Sequence, residues 1–99
     1  MSTSTARATT TIDDDDLRIT TWTFGAEGDA IGWHVHEYDY VVVPVTGGTF
    51  AVTTPDGATR ELVQRAGSPY RGSAGTEHDV VNAGGAPAVF VEIELKRRP

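Results

Sequence analysis

GDAIGWHVHEYDYVVVPVTG, residues 28–47, is the stretch on which the reading of this chain turns. Its second half, Tyr40 to Val45, is a branched, apolar run closed by the Gly47-Gly48 pair, as a short strand requires. Its first half, Ile31 to His36, is a second extended run that carries two histidines one residue apart. Residues two apart on a strand face the same side, with Cα atoms about 6.5 to 7 Å apart. Two imidazoles so placed can converge on one ion at about 2.0 to 2.1 Å each. A His-x-His pair alone also arises at strand edges and on surfaces, so its meaning depends on the rest of the chain.

Outward from this segment the pattern stays extended. Leu17, Ile19, Thr21 and Thr23 alternate with Arg18, Thr20, Trp22 and Phe24, which suits a strand buried unequally on its two faces. Thr49 to Thr54 and Ala58 to Gln64 flank Pro55-Asp56-Gly57, a hairpin signal because Asp-Gly tolerates the backbone such turns demand. A short run after Gly67, another from Glu77 to Val81, and a last strand over Ala88 to Lys96 complete the series. In that last strand Val89, Val91, Ile93 and Leu95 form the more apolar face, which places Glu92 outward. Composition agrees: 11 Val, 4 Ile and 14 Thr stand against 3 Leu and 1 Met, a branched set that packs on pleated sheets. No segment has helical periodicity over a useful length. About eight short strands spaced near ten residues apart make an all-β sandwich or barrel.

The 99 residues suffice for one small core. Residues 1–16 read as a disordered or loosely attached arm, small and hydroxylated and ending in the run Asp13 to Asp16; residues 17–99 form the folded domain. The aspartate run reads as a solvated charge tract, with cation binding as the sharper alternative. Net charge is −6, and −2 without that run, so a nucleic-acid partner is not expected. There is no cysteine, hence neither a disulfide nor a thiolate site. With no long apolar run and no secretory leader pattern, a soluble cytoplasmic protein with no membrane partner is expected.

His78 stands forty-two residues after His36, on another strand. Around it the sequence runs Gly67, five residues, Ser73, one residue, Gly75, two residues, His78, three residues, Asn82. Around the pair it runs Gly28, five residues, His34-Val35-His36, three residues, Tyr40, six residues, Gly47. The two arrays closely resemble the two motifs of the cupin superfamily, over about residues 17–96. Two positions depart: the second motif's proline is Ser73, and the first motif's glutamate, normally a metal ligand, is Tyr40.

The resemblance implies a double-stranded β-helix, or jelly-roll, barrel. It implies one divalent transition metal ion (iron, manganese, nickel or zinc) held by His34, His36 and His78. Three-histidine members of the superfamily include non-haem iron dioxygenases acting on thiols and on β-dicarbonyl compounds; others are isomerases, polyketide cyclases or proteins with no shown reaction. The expectation is a metal-dependent enzyme on a small organic molecule, with dioxygenase-type chemistry on an enolisable dicarbonyl ahead of isomerase or cyclase chemistry. A non-catalytic binding or sensor module is the alternative. The relay of thiol dioxygenases needs a further histidine, and all three are spent here. A general base must then be a carboxylate, a tyrosine or hydroxide. Tyr40 is the catalytic candidate; hydrogen bonding at the ion, phenolate coordination and simple space-filling all remain open for it. Tyr38 is placed at the mouth or in an exposed turn, Trp33 outside the barrel, Arg71 in a surface ion pair rather than on a substrate carboxylate beside Tyr70, and Asn82 at a turn backbone. A barrel of about 80 residues has exposed edges and little core, so a homodimer is expected.

Overall fold

The computed structural model describes residues 5–97. These form nine strands: β1 (Arg7–Asp13), β2 (Leu17–Phe24), β3 (His34–Val35), β4 (Asp39–Pro44), β5 (Gly48–Thr53), β6 (Thr59–Gln64), β7 (Tyr70–Gly72), β8 (Glu77–Asn82) and β9 (Ala88–Leu95). They make two antiparallel sheets, ordered β1-β2-β9-β4-β7 and β3-β8-β5-β6. This is the double-stranded β-helix expected from the motifs. No helix of the described residues is long and apolar enough to cross a membrane.

The interior is graded from end to end, and β9 records the gradient. Its inward residues are, in order, Ala88, Phe90, Glu92 and Glu94, all buried. Ala88 and Phe90 sit opposite Phe24 and Trp22 of β2, and the rings of Phe24, Phe50 and Phe90 pack with centroids 5.1, 5.5 and 5.8 Å apart. Edge-to-face and tilted packing at such distances is favourable beyond the area it hides. Two strand positions on, the inward side becomes polar. Glu94 takes a bidentate pair from Arg18, at 2.5 and 2.7 Å, and Glu92 faces the histidines.

This reverses the face assigned to β9 from sequence. Val89, Val91, Ile93 and Leu95 point outward and stay half-buried, because β2 and β4 flank them with Ile19, Thr21, Val41 and Val43. Phe90 fixes the phase: its ring belongs to the aromatic core, and period-two alternation carries Glu92 inward with it.

The arm is corrected as well. Residues 7–13 pair with β2 as an edge strand, although every one of them is exposed. Residues 1–4 lie outside the described residues. The aspartate run is a hairpin turn with salt links: Asp14 Oδ1 accepts the amides of Asp16 and Leu17, at 2.8 and 3.0 Å, an Asx-type turn. Lys96 and Arg97 then pair with Asp13 and Asp16, at 2.5 and 2.6 Å. Backbone hydrogen bonds to the partner strand, together with these charges, hold a segment whose composition offers nothing to bury.

Phe24 is completely buried, so its ring contributes to stability through both transfer and packing. Phe24→Ala is expected to lower unfolding stability by about 3 to 5 kcal/mol in urea titration. A loss below about 1 kcal/mol would contradict the placement of the core at this end.

Candidate metal centre

The site is built by one register. Strand β3 pairs with β8 so that His34 lies directly opposite His78. After Val35 the chain leaves the strand, and a tight clasp holds His36: its amide donates to Thr76 O and its carbonyl accepts from Gly75 N, both at 2.8 Å. Gly75 has φ of +88°, a conformation that glycine adopts without strain. The clasp turns the third imidazole toward the other two.

Three ring nitrogens converge. His34 Nε2 lies 3.2 Å from His36 Nε2, which lies 3.1 Å from His78 Nε2. Nitrogens bound at about 2.0 to 2.1 Å to one ion would be about 2.8 to 3.4 Å apart, the lower figure for octahedral and the upper for tetrahedral angles. The observed spacing falls in that range. His34 Nδ1 stands 2.7 Å from Gly32 O, and a carbonyl only accepts, so Nδ1 carries the proton. In the neutral ring Nε2 then presents its lone pair inward, the tautomer that a metal ligand needs. Three imidazole nitrogens turned on one point form a donor set that a shared cation fits, and the cluster is compatible with a metal ion.

Burial agrees with this. It pushes the imidazoles of His36 and His78 down to about 4, helped by the neighbouring histidines, so both are neutral at pH 7. Glu92 Oε1 is 3.8 Å from His36 Nδ1, an approach rather than an ion pair because that ring is uncharged. Burial, followed by the charge of Glu94, pushes Glu92 up to about 7.

Tyr40 packs its ring against His36, with centroids 3.8 Å apart and planes 18° apart. On its other side it lies across Gly72, where any Cβ would collide with the ring, so the close strand approach at this point depends on glycine. Burial pushes its hydroxyl up to about 12, and the Thr76 side chain hydrogen-bonds it. In the metal-free protein Tyr40 is therefore a phenol at pH 7, its ring stacked beside the His36 imidazole.

Two cavities meet at the histidines. One, of about 420 Å³, lies inside the barrel; the other, of about 750 Å³, lies between the inner side of β1 and β2 and the 31–37 segment. His34, His36 and Glu92 wall both. Tyr40, Tyr70 and Arg71 line the first, and Tyr38 lines neither. Arg71, exposed on β7 opposite the outward Val41, borders the first cavity and forms no ion pair among the described residues, unlike the surface pair expected from sequence. Trp33 is half exposed and donates to Glu77 at 2.6 Å. Asn82, fully buried, donates to Ala26 O and Ala86 O and accepts from Gly84 N, fixing turns as expected. Glu92 was missed as an interior residue, and Arg60 as an exposed residue bordering the cavity. The signal for Glu92 was present in Phe90, whose large ring on the same face outweighs the valines.

Residues 20–94 match the Cupin domain family. This chain is a cupin. It is 44% identical over 88 residues to the Beta-alanine degradation protein BauB of Pseudomonas aeruginosa, an alignment covering 89% of this chain and 90% of that protein. The crystal structure of a cupin domain from Bordetella pertussis superposes with a TM-score of 0.91 at 38% identity, covering 98% of this chain and 99% of that one. A Klebsiella pneumoniae protein with a double-stranded β-helix domain superposes at 0.76 with 20% identity, covering 97% and 81%, a likeness of fold alone.

In the metal-free protein the imidazole nuclear magnetic resonance signals of His36 and His78 are expected to titrate near pH 4. Since the unfolded chain protonates these rings near their ordinary 6.5, they contribute stability that is lost as pH falls from about 6.5 toward 4. Midpoints above pH 6 for both rings would contradict the buried, neutral site.

Proposed function

We propose that this cupin is a metal-dependent enzyme acting on a small organic molecule, with dioxygenase-type chemistry on an enolisable, dicarbonyl-like substrate. The observation that carries the reading is the convergence of three imidazoles at a cavity wall with no carboxylate among them. Neutral ligands leave a divalent ion its full charge, and three protein ligands leave positions open. A divalent iron at this place supplies Lewis-acid and redox chemistry toward a chelating dicarbonyl and dioxygen.

The chain's own groups fit the remaining requirements. An enolisable substrate must lose a proton from the carbon between its carbonyls. Glu92, with its carboxyl raised to about 7 and facing the cavity beside His36, is able to accept it at Oε1. Tyr40 fixes the plane of His36 and holds its own proton. The apolar wall, with Val42, Val52 and Phe90, limits water around the reacting carbons.

The relative named for beta-alanine degradation supports the substrate class. Exchange of the amino group of β-alanine for a carbonyl leaves a three-carbon acid with its carbonyl β to the carboxyl group. That product is itself enolisable and dicarbonyl-like.

Protein loaded anaerobically with ferrous iron is expected to consume dioxygen when 2,4-pentanedione is added, with one dioxygen used per diketone lost. An oxygen electrode and chromatography of the diketone give both numbers. Glu92→Gln is expected to slow uptake by about 100-fold, the scale of losing a positioned base. Diketone loss without oxygen uptake would move the reading to isomerase or cyclase chemistry; neither loss nor uptake would remove the enzyme reading.

A further inference from the structure

The apolar side of β9 faces away from the interior. Val89, Val91, Ile93 and Leu95 lie on the outer surface of the five-stranded sheet, in its middle strand, and each keeps part of its surface open. Register extends the patch sideways. Ile93 stands between Ile19 of β2 and Val41 of β4, and Ile12 of β1 stands beyond Ile19. One row thus carries four branched apolar side chains across four strands. In the next row Val91 stands between Thr21 and Val43. At the margins of the patch Ile12 is 45% exposed, and Val45, just past the end of β4, is 54% exposed. The four-stranded sheet shows a solvated outer face in the same molecule: Thr49, Ala51 and Thr53 of β5 point outward, with Glu61 and Asp79 on the strands beside them. A sheet with one face in water puts its apolar residues inside and its polar ones outside. Strand β9 reverses that order, and a continuous apolar surface over several strands marks an interaction site.

Size and charge select the occupant. Five strands about 4.8 Å apart and about eight residues long make a face of roughly 500 to 600 Å² in plan. With the relief of its side chains added, that is on the scale of the about 800 Å² that each partner gives to a stable interface. The chain carries a net charge of −6, yet β2 and β9 turn no Asp or Glu outward. Two copies therefore meet here without opposing their acids, whereas an anionic lipid surface would meet an acidic protein. Arg71, exposed where the Ile93 row ends on β7, supplies a rim residue of the kind that interfaces favour.

We propose that the outer face of the five-stranded sheet is the interface of a two-fold homodimer, with β9 of one protomer crossing β9 of its partner. A two-fold contact sets the same patch on both copies, and aligned sheets pack about 10 Å apart with their strands within about 30°. The dimer expected from open strand edges closes instead through a sheet face. The histidines lie on the inner side of the barrel, so the contact leaves their cavities free. One strand then serves both purposes, with Glu92 and Glu94 inward at the site and its branched residues outward at the partner.

Light scattering after gel filtration at micromolar concentration tests this. The wild-type protein is expected at twice the chain mass. Ile93→Lys sets a charge in the middle of the patch and is expected to weaken association by at least about 100-fold, leaving the chain mass. Ala51→Lys, on the outer face of the other sheet, is expected to stay at twice the chain mass. Circular dichroism shows whether each variant folds. A second variant decides the matter if Ile93→Lys does not: the chain has no cysteine, so Val91→Cys introduces a single thiol beside the two-fold axis. A short bismaleimide is expected to join two such chains, and to join two chains of Ala51→Cys at least about tenfold more slowly, since linking is fast only where the sites are held together. Wild-type protein at the chain mass would overturn the inference, whether or not that monomer binds anionic vesicles. Folded Ile93→Lys at twice the chain mass, or equal cross-linking of the two cysteine variants, would overturn it too, by placing the contact on an edge or on the other sheet.

Discussion

The site depends on a single strand register, the placement of His34 opposite His78 in the short pair of β3 and β8. Slipping that pair by one residue would send one imidazole to the outside of the sheet, since side chains alternate. Two residues of pairing are too few to hold a register unaided, and the surroundings supply the rest. Ala30 bridges Val81, the Ile31 amide donates to Val80 O, and the Asp79 carboxylate accepts from the Gly32 amide. On the other side the Gly75-Thr76 clasp fixes His36. The glycines of this region thus serve positions of the backbone, and the histidines inherit their geometry from them.

A small barrel has one core to divide between stability and chemistry. Here the division runs along β9, where Phe90 belongs to the aromatic cluster and Glu92, two residues on, belongs to the site. The phenylalanines at one end provide the burial that lets the other end keep histidines, carboxylates and a tyrosine indoors. That enclosure also sets the protonation states: the same burial holds the His36 and His78 imidazoles neutral and raises Glu92 and Tyr40.

The motifs made the fold and the three histidines legible in the sequence, because turn glycines and ligand spacing are local properties. The face of β9 was not legible from its apolar count, since four branched residues on the outside looked more like a core than Phe90 with two glutamates. Where a barrel interior is functional, polar residues point inward and hydropathy alone misplaces the strand. The first strand was hidden for a related reason. Arg7 to Asp13 has no apolar face, and its pairing rests on backbone hydrogen bonds to β2 and on the Asp13–Lys96 link, contacts eighty-three residues apart that no local pattern shows. Tyr40 was recognised at the position of the family's glutamate, and its stacking on His36 needed the backbone opening at Gly72, on a different strand.

The central claim is that the three imidazoles form a metal centre. Elemental analysis of protein purified without an affinity tag, after growth with iron, manganese, nickel and zinc supplied, tests it most directly. Wild-type protein should carry about one ion per chain, and His34→Ala, His36→Ala and His78→Ala should each lose it while remaining folded. Wild-type protein without an ion, or a full complement of metal in any of the three folded variants, would contradict the account.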